Sequence, residues 1–580
     1  MKRTFKYIFV AISLLTATSC DDFIEVEPEG VIDEELAMGQ PDKMTASAYA
    51  MLGDCWYSYP FNLWPYGDVS SDDCLKGGSG TTDTGYHPME IWSTLTSTPG
   101  EFDELWYRLY CAISRCNRAL VSIEEYGEAR LGAETAAQRE AEVRFLRAHF
   151  YFKLITMFRQ IPWVDEEVYK NNSQEQTRND EFTYEELFGK IIKEFEMAYN
   201  VLPAEQKDGG RVNKIAAASY LAKCYLTLAW GDGYEATNGV DHINQDYMQK
   251  VIEYTDVVAQ SQYGYLEDFG DIFLPEYKNS KECIFAVQCS DYKDDNTTFG
   301  RANWSNMLNG CWGIWSCGWD FHKPSQNLVS AFKTKDGLPD FDNFDKTIDY
   351  PINGAPTAQK WDPRLFHTVG MPTFPYKYEK DYTLTKDNSR TPNTYGYYTS
   401  LKEVPQRSKG ETYNGPWQAF AMNDYVFRYT DVMLMRAEAL IETGSQANLA
   451  AARTIINDIR QRAKNSVAKH IQYAADQCEI ALYPDTYFKD KETARKCLQW
   501  ERRLELAMEN GRYFDLRRWG IASKTLNTYF ETEQKDVYEG QAYAQYLQDA
   551  HYTAGKNEFY PVPYNQLYYV PGLYSQNKGY

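Results

Sequence analysis

Long stretches of this chain repeat apolar side chains every three to four positions and then stop at a glycine or proline. In Glu140–Gln160, Phe145, His149, Phe152 and Met157 form one stripe, Val143, Leu146 and Leu154 widen it, and Pro162 follows. Such spacing predicts an amphipathic helix, and proline ends it by removing a donor and crowding the preceding turn. The same reading gives helices over Tyr184–Leu202, stopped at Pro203, Asn213–Trp230 before Gly231, and Tyr247–Gln262 before Gly264. Farther on, Tyr429–Thr443 and Gln446–Lys464 flank Gly444 and Ser445, and Leu498–Asn510 runs up to Gly511. An apolar stripe is stable only when a neighbour covers it. Successive helices joined by short breaks therefore have to pack on one another.

The expected fold is mainly α: a tetratricopeptide-like scaffold of helical hairpins over about 105–265 and 422–520, although no strict 34-residue signature repeats. The intervening Asn279–Ala421 is rich in Gly, Pro, Asn, Trp and Tyr and lacks a long amphipathic run. It is expected to be a loop-rich insertion carrying short strands such as Cys283–Gln288. Loops held by rigid helices are common recognition surfaces.

The first residues have a different logic. Lys2, Arg3 and Lys6 precede a short apolar run, Ile8–Leu15, and the sequence Leu15-Thr16-Ala17-Thr18-Ser19 leads into Cys20. The run is too short to span a bilayer and has the layout of a secretory signal. Its order resembles a bacterial lipobox, which implies that residues 1–19 are a signal peptide and that Cys20 carries lipid. Residues 20–40 would then be a tether, and 41–580 a single domain. No window offers 18 uninterrupted apolar residues, so anchoring by lipid is expected and spanning is not.

Charge narrows the classes further. The chain carries 82 acidic against 60 basic side chains, a formal charge of −22. A nucleic-acid binder needs a basic face to neutralise phosphates, so that class is excluded. Export permits disulfides; among the cysteines after Cys20, mostly buried thiols with one or two bridges are expected. No C-x-x-C and no histidine cluster occurs among seven histidines, so a structural zinc site is not expected; no cofactor is expected either.

Several segments, in order, resemble the SusD/RagB family of Bacteroidetes nutrient-binding lipoproteins. They are Ala141-Glu142-Val143-Arg144-Phe145-Leu146-Arg147-Ala148 with Ile161-Pro162-Trp163, and Trp361-Asp362-Pro363-Arg364-Leu365 after Pro324–Phe332. Arg428-Tyr429 with Leu434-Met435-Arg436-Ala437-Glu438-Ala439, and Asn457-Asp458-Ile459-Arg460-Gln461-Arg462-Ala463, follow. Then come Glu501-Arg502-Arg503-Leu504-Glu505-Leu506 and Asp515-Leu516-Arg517-Arg518-Trp519, and finally Phe559-Tyr560-Pro561-Val562-Pro563 and Gln576-Asn577-Lys578-Gly579-Tyr580. Lys578 departs from the proline usual in the family's ending. The resemblance implies an outer-membrane lipoprotein facing the cell exterior, with Asp21 and Asp22 similar to a surface-export signal. It also implies capture of an oligosaccharide or polysaccharide and its delivery to a SusC-like TonB-dependent transporter.

Sugar capture needs flat aromatic faces for the C–H side of a ring and polar groups for its hydroxyl rim. Two zones offer them. Trp92 lies in a loop-like stretch, ahead of a helix whose Trp106 has core spacing; in the second zone Trp304, Trp312, Trp315 and Trp319 fall within 16 residues. Trp92, Trp312 and Trp315, with Trp304, are the candidate platforms; Asn62, Asp68, Arg301 and Asn306 are the candidate polar partners. Asp72 and Asp73 lie beside Asp68, but the spacing is not that of an EF-hand, and solvation is expected for Asp73. Two other readings compete. A RagB-like protein would bind peptides. A secreted glycoside hydrolase would use Glu501 and Glu505 as acid and base, but their arginine neighbours would keep both ionised. No catalytic residue is expected.

Overall fold

The computed structural model describes residues 34–580 apart from 174–175, 232, 241, 290–307, 315–317, 355–357, 410–411, 415–417, 535–536 and 539–540. The long helices are α1 (Pro41–Ala50), α2 (Gly100–Leu131), α3 (Ala133–Phe158), α4 (Tyr184–Val201), α5 (Lys214–Ala229) and α6 (Gln245–Ala259). After the irregular middle come α7 (Tyr429–Thr443), α8 (Gln446–Asn465), α9 (Lys491–Leu506), the short α10 (Arg512–Arg518) and α11 (Ala522–Glu533). Polar side chains start many of them. Thr183 and Glu186 form a reciprocal capping box at α4, and Asn213, Asn244, Ser445 and Asp490 accept from backbone amides at the starts of α5, α6, α8 and α9. Gly444 ends α7 in the left-handed conformation, which lets α8 turn straight back.

Each helix from α2 to α8 packs on the next. The insertion leaves after α6, and α7 docks on α6 when the chain returns, so the stack stays continuous. The neck of the insertion is a ladder: β2 (Cys283–Val287) pairs antiparallel with β4 (Asp424–Arg428), Asp424 opposite Val287. The ladder ties the start of the irregular region to its end. Inside the insertion β3 (Phe321–Pro324) pairs with β1 (Cys74–Gly77), which fixes the insertion to the segment ahead of α2.

The expected boundaries hold within a few residues except at the start of α3, at Ala133 against the expected Glu140, and at both ends of α9, which starts at Lys491 against the expected Leu498. Helix α9 ends at Leu506, short of Asn510, because Met508 and Asn510 adopt positive φ (61° and 67°). The two bends reverse the chain and start α10 as a separate helix. One large core runs through the helices, and a small second core under the insertion is built by Cys311, Ile314, Tyr376, Leu384, Leu401, Val404, Phe420 and Met422. The ten described cysteines are all free thiols, so the expected bridges are not found among them; Cys20 and Cys317 lie outside the described residues. No described helix is long and apolar enough to cross a membrane.

Candidate functional site

The surface above the small core is built from alternation. Cys311 and Ile314 point into that core, and between them Trp312 is left 39% exposed. The turn needs Gly313, whose φ of +75° an L side chain rarely adopts. Asn388 then fixes the segment: its Nδ2 donates to the Trp312 carbonyl at 3.0 Å and to Tyr382 Oη at 3.2 Å. Asn388 is itself held through its Oδ1, which accepts from the Thr385 amide at 2.9 Å. Locking the partner of an exposed ring pre-organises that ring.

Arg390 completes the arrangement. Its guanidinium lies 5.3 Å from the Trp312 ring centre and 4.9 Å from that of Trp319. Its amide donates to Asp320 Oδ2 at 2.8 Å, and the same carboxylate accepts from Lys323 Nζ at 2.7 Å. Burial pushes the Asp320 carboxyl above its usual range, with Lys323 opposing. Arg407 covers the Tyr382 ring at 4.7 Å. Sequence reasoning missed Arg390, Arg407, Tyr382 and Asn388. They sit some seventy residues or more downstream of the tryptophans, and nothing in their local pattern marks them.

The other candidate residues have different places. Trp92 is 1% exposed, and no face of it is open to a sugar. It stacks on Tyr560 (centroids 5.4 Å apart, 23° between planes), meets Tyr552 edge-on, and donates from Nε1 to the Ser70 carbonyl. The loop expected over His87–Gly100 is found from Trp92 to Pro99, but its first residues form a short helix, His87–Ile91, that ends at Trp92. Asp68 is fully buried and accepts from His322 Nε2 and the Asn510 amide, both at 2.9 Å. Burial alone would lower the His322 pKa, but hydrogen bonds to Asp68 and Glu403 outweigh it and hold it at about 9. Asp68 is therefore internal structure, with no carboxylate free for a rim. Asn62 is half-buried and lines a cavity of about 190 Å³ together with Lys153, Lys223 and Asp424, to which Trp312 does not contribute. Trp304, Trp315, Arg301 and Asn306 lie outside the described residues, as does Cys20.

Asp73 is buried, contrary to the solvated role expected for it. Arg503 Nε donates to it at 2.7 Å, while Arg512 holds both oxygens of Asp72 at 2.8 and 3.0 Å. Of the three carboxylates in this stretch, Asp72 and Asp73 are thus met by arginines and Asp68 by His322. Glu501 and Glu505 likewise are not on a solvated helix face but completely buried. Arg364 Nη1 reaches Glu501 at 2.6 Å and Glu505 at 3.2 Å, Arg460 donates to Glu501, and Arg428 and Arg462 donate to Glu505. Burial would raise the Glu505 pKa, but Arg462, Arg428 and Arg364 hold it at about 2. A carboxyl so strongly ionised cannot act as a general acid near neutral pH.

One group has the composition of a metal site. The ligand atoms of Asp268, Asp271 and His470 lie within 4.8 Å of one another. Asp271 already has a cationic partner there, since Lys469 Nζ contacts both its oxygens at 2.6 and 2.7 Å, and His470 Nε2 lies 2.8 Å from one of them.

Comparison with known proteins agrees with this architecture. A profile described as the SusD family matches residues 281–580, and one described as "Starch-binding associating with outer membrane" matches residues 66–226. A SusD-like protein of Bacteroides ovatus is 21% identical, over 91% of this chain and 84% of its own length. The crystal structure of a SusD-like carbohydrate-binding protein from Bacteroides fragilis superposes with a TM-score of 0.69 at 22% identity, covering 92% of this chain and 98% of that one. A surface glycan-binding protein A from Bacteroides thetaiotaomicron, in complex with laminarihexaose, gives 0.58 at 19% identity, over 93% and 99% of the two chains. At these identities the structural likeness establishes the fold.

Proposed function

The chain belongs to the SusD family, and from that premise we propose that it is a non-catalytic glycan-binding lipoprotein of the outer membrane, exposed at the cell surface. Lipid on Cys20 anchors it, and it passes captured oligosaccharide to a SusC-like transporter. The observation that carries the reading is Trp312: a large aromatic ring left 39% exposed on a locked turn, flanked by an amide and a guanidinium. Burying such a ring against a sugar face removes apolar area from water, at roughly 25 cal/mol per Å². The guanidinium nearby suits hydroxyl oxygens. The names of the relatives support the same class of ligand.

The test is calorimetric titration of the chain beginning at Asp21, which retains every described residue, against plant, fungal and host glycans. One glycan class is expected to bind, with binding lost in Trp312→Ala. If peptides bind and no glycan does, the RagB-like reading replaces this one. Anchoring is tested separately: Cys20→Ser should move the protein from the membrane to the soluble fraction.

A further inference from the structure

We infer that the Trp312 surface selects anionic sugars, residues bearing a carboxylate or a sulfate, and that Arg390 is the group that reads the charge. This rests on the glycan-binding reading and narrows it.

The argument begins with how this chain treats arginine. Most buried guanidiniums elsewhere are matched to carboxylates: Arg364 to Asp362 and Glu501, Arg428 to Glu282 and Glu509, Arg462 to Glu282 and Glu505, Arg518 to Glu438; Arg517 instead donates to the Thr156 and Glu558 carbonyls. Arg390 is not so matched. It is half-buried between two indoles, it forms no ion pair among the described residues, and its Nη1 is buried without a hydrogen-bond partner. An unmet donor on a charged group is costly, and native structures rarely keep one without a use. Asp320, whose carboxylate meets the Arg390 amide, is turned to other work, accepting also from Lys323 and Ser389.

Arg407, on the far side of Asn388 and Tyr382, repeats the pattern. Its guanidinium lies over a tyrosine and has no ion pair among the described residues, while Glu379 accepts from the backbone amides of Arg407 and Ser408. Two guanidiniums without ion pairs among the described residues thus lie over aromatic rings here, one at the exposed Trp312 and one at Tyr382, in a protein of charge −22. The planar guanidinium fork matches a carboxylate or sulfate in two parallel hydrogen bonds, which a neutral hydroxyl cannot supply. The overall negative charge does not forbid this. At physiological salt charges are screened over about 8 Å, so the local pair outweighs the distant excess.

The experiment titrates the chain from Asp21 with two matched pairs: oligogalacturonates against their methyl esters, and carrageenan oligosaccharides against desulfated forms. The first pair isolates carboxylate and the second sulfate. The expected result is at least tenfold tighter binding of one charged member than of its neutral partner. That ratio should collapse toward one in Arg390→Gln and be partly retained in Arg390→Lys, with the melting temperature unchanged. A neutral member bound as tightly as its charged partner overturns the inference but leaves glycan capture standing. A charged-to-neutral ratio that survives in Arg390→Gln overturns the role given to Arg390. Silence of all four probes, together with a neutral glycan bound elsewhere in the wider panel, overturns the inference alone; silence throughout overturns the glycan reading as well.

Discussion

His322 on β3 donates through Nε2 to Asp68 Oδ2 at 2.9 Å, with both side chains withdrawn from solvent. The pair joins the interior of the insertion to the segment ahead of β1, and it makes stability depend on pH. The folded-state pKa of about 9 lies above the ordinary 6.5. The contribution is therefore complete below about pH 6.5 and is lost as pH rises through 9. A shift of this size corresponds to about 3 kcal/mol. Thermal melts across pH 6 to 9.5 should show a falling melting temperature, and the slope should flatten in His322→Gln.

Glu505 gives the opposite dependence. Its folded pKa, about 2, lies below the ordinary 4.5, so its contribution is present above pH 4.5 and lost as pH falls toward 2. Glu505→Gln leaves Arg364, Arg428 and Arg462 short of a buried counter-charge, which costs about 3–5 kcal/mol. Urea denaturation at pH 7 checks this, and a change below 1 kcal/mol would contradict the network's structural role.

Trp92 and Trp312 should separate stability from binding. Trp92→Ala empties a fully buried site and is expected to destabilise by about 3–5 kcal/mol, while the protein that remains folded keeps its glycan affinity. Trp312→Ala should leave stability within about 0.5 kcal/mol and weaken glycan binding at least tenfold. Paired denaturation and titration of the two variants decide the matter.

Gly67 is required by a close approach of backbones. A Cβ there would lie 1.9 Å from the carbonyl oxygen of Asn510, beside the amide that Asp68 accepts from. Backbone cannot yield as a flexible side chain does, so Gly67→Ala should cost about 1–3 kcal/mol or more. Its melting temperature relative to wild type is the readout.

Much of the scaffold was legible because its determinants are local. The stripe through Phe145, Phe152 and Met157, the stop at Pro203 and the Gly444–Ser445 break each act within a turn or two of helix. Where a local rule failed, a distant contact had overridden it. Helix α9 stops before Gly511 because the chain must turn at Met508 and Asn510, where the Asn510 amide meets Asp68 from the other end of the sequence.

The site was far less legible. A tryptophan reads the same in sequence whether it is a platform or core, and Trp92 became core because the C-terminal Tyr552 and Tyr560 pack over it. Asp68 and Asp73 look like surface acids until His322 and Arg503 arrive from hundreds of residues away.

The sequence by itself determined the helical repeat, the loop-rich interruption, the signal-like start and the family resemblance, since periodicity and short motifs are properties of neighbours along the chain. Only the tertiary structure decided that Trp312 stays exposed, which carboxylates are neutralised and that Arg390 meets indoles and no carboxylate among the described residues. Burial and charge pairing depend on what the fold brings together in space.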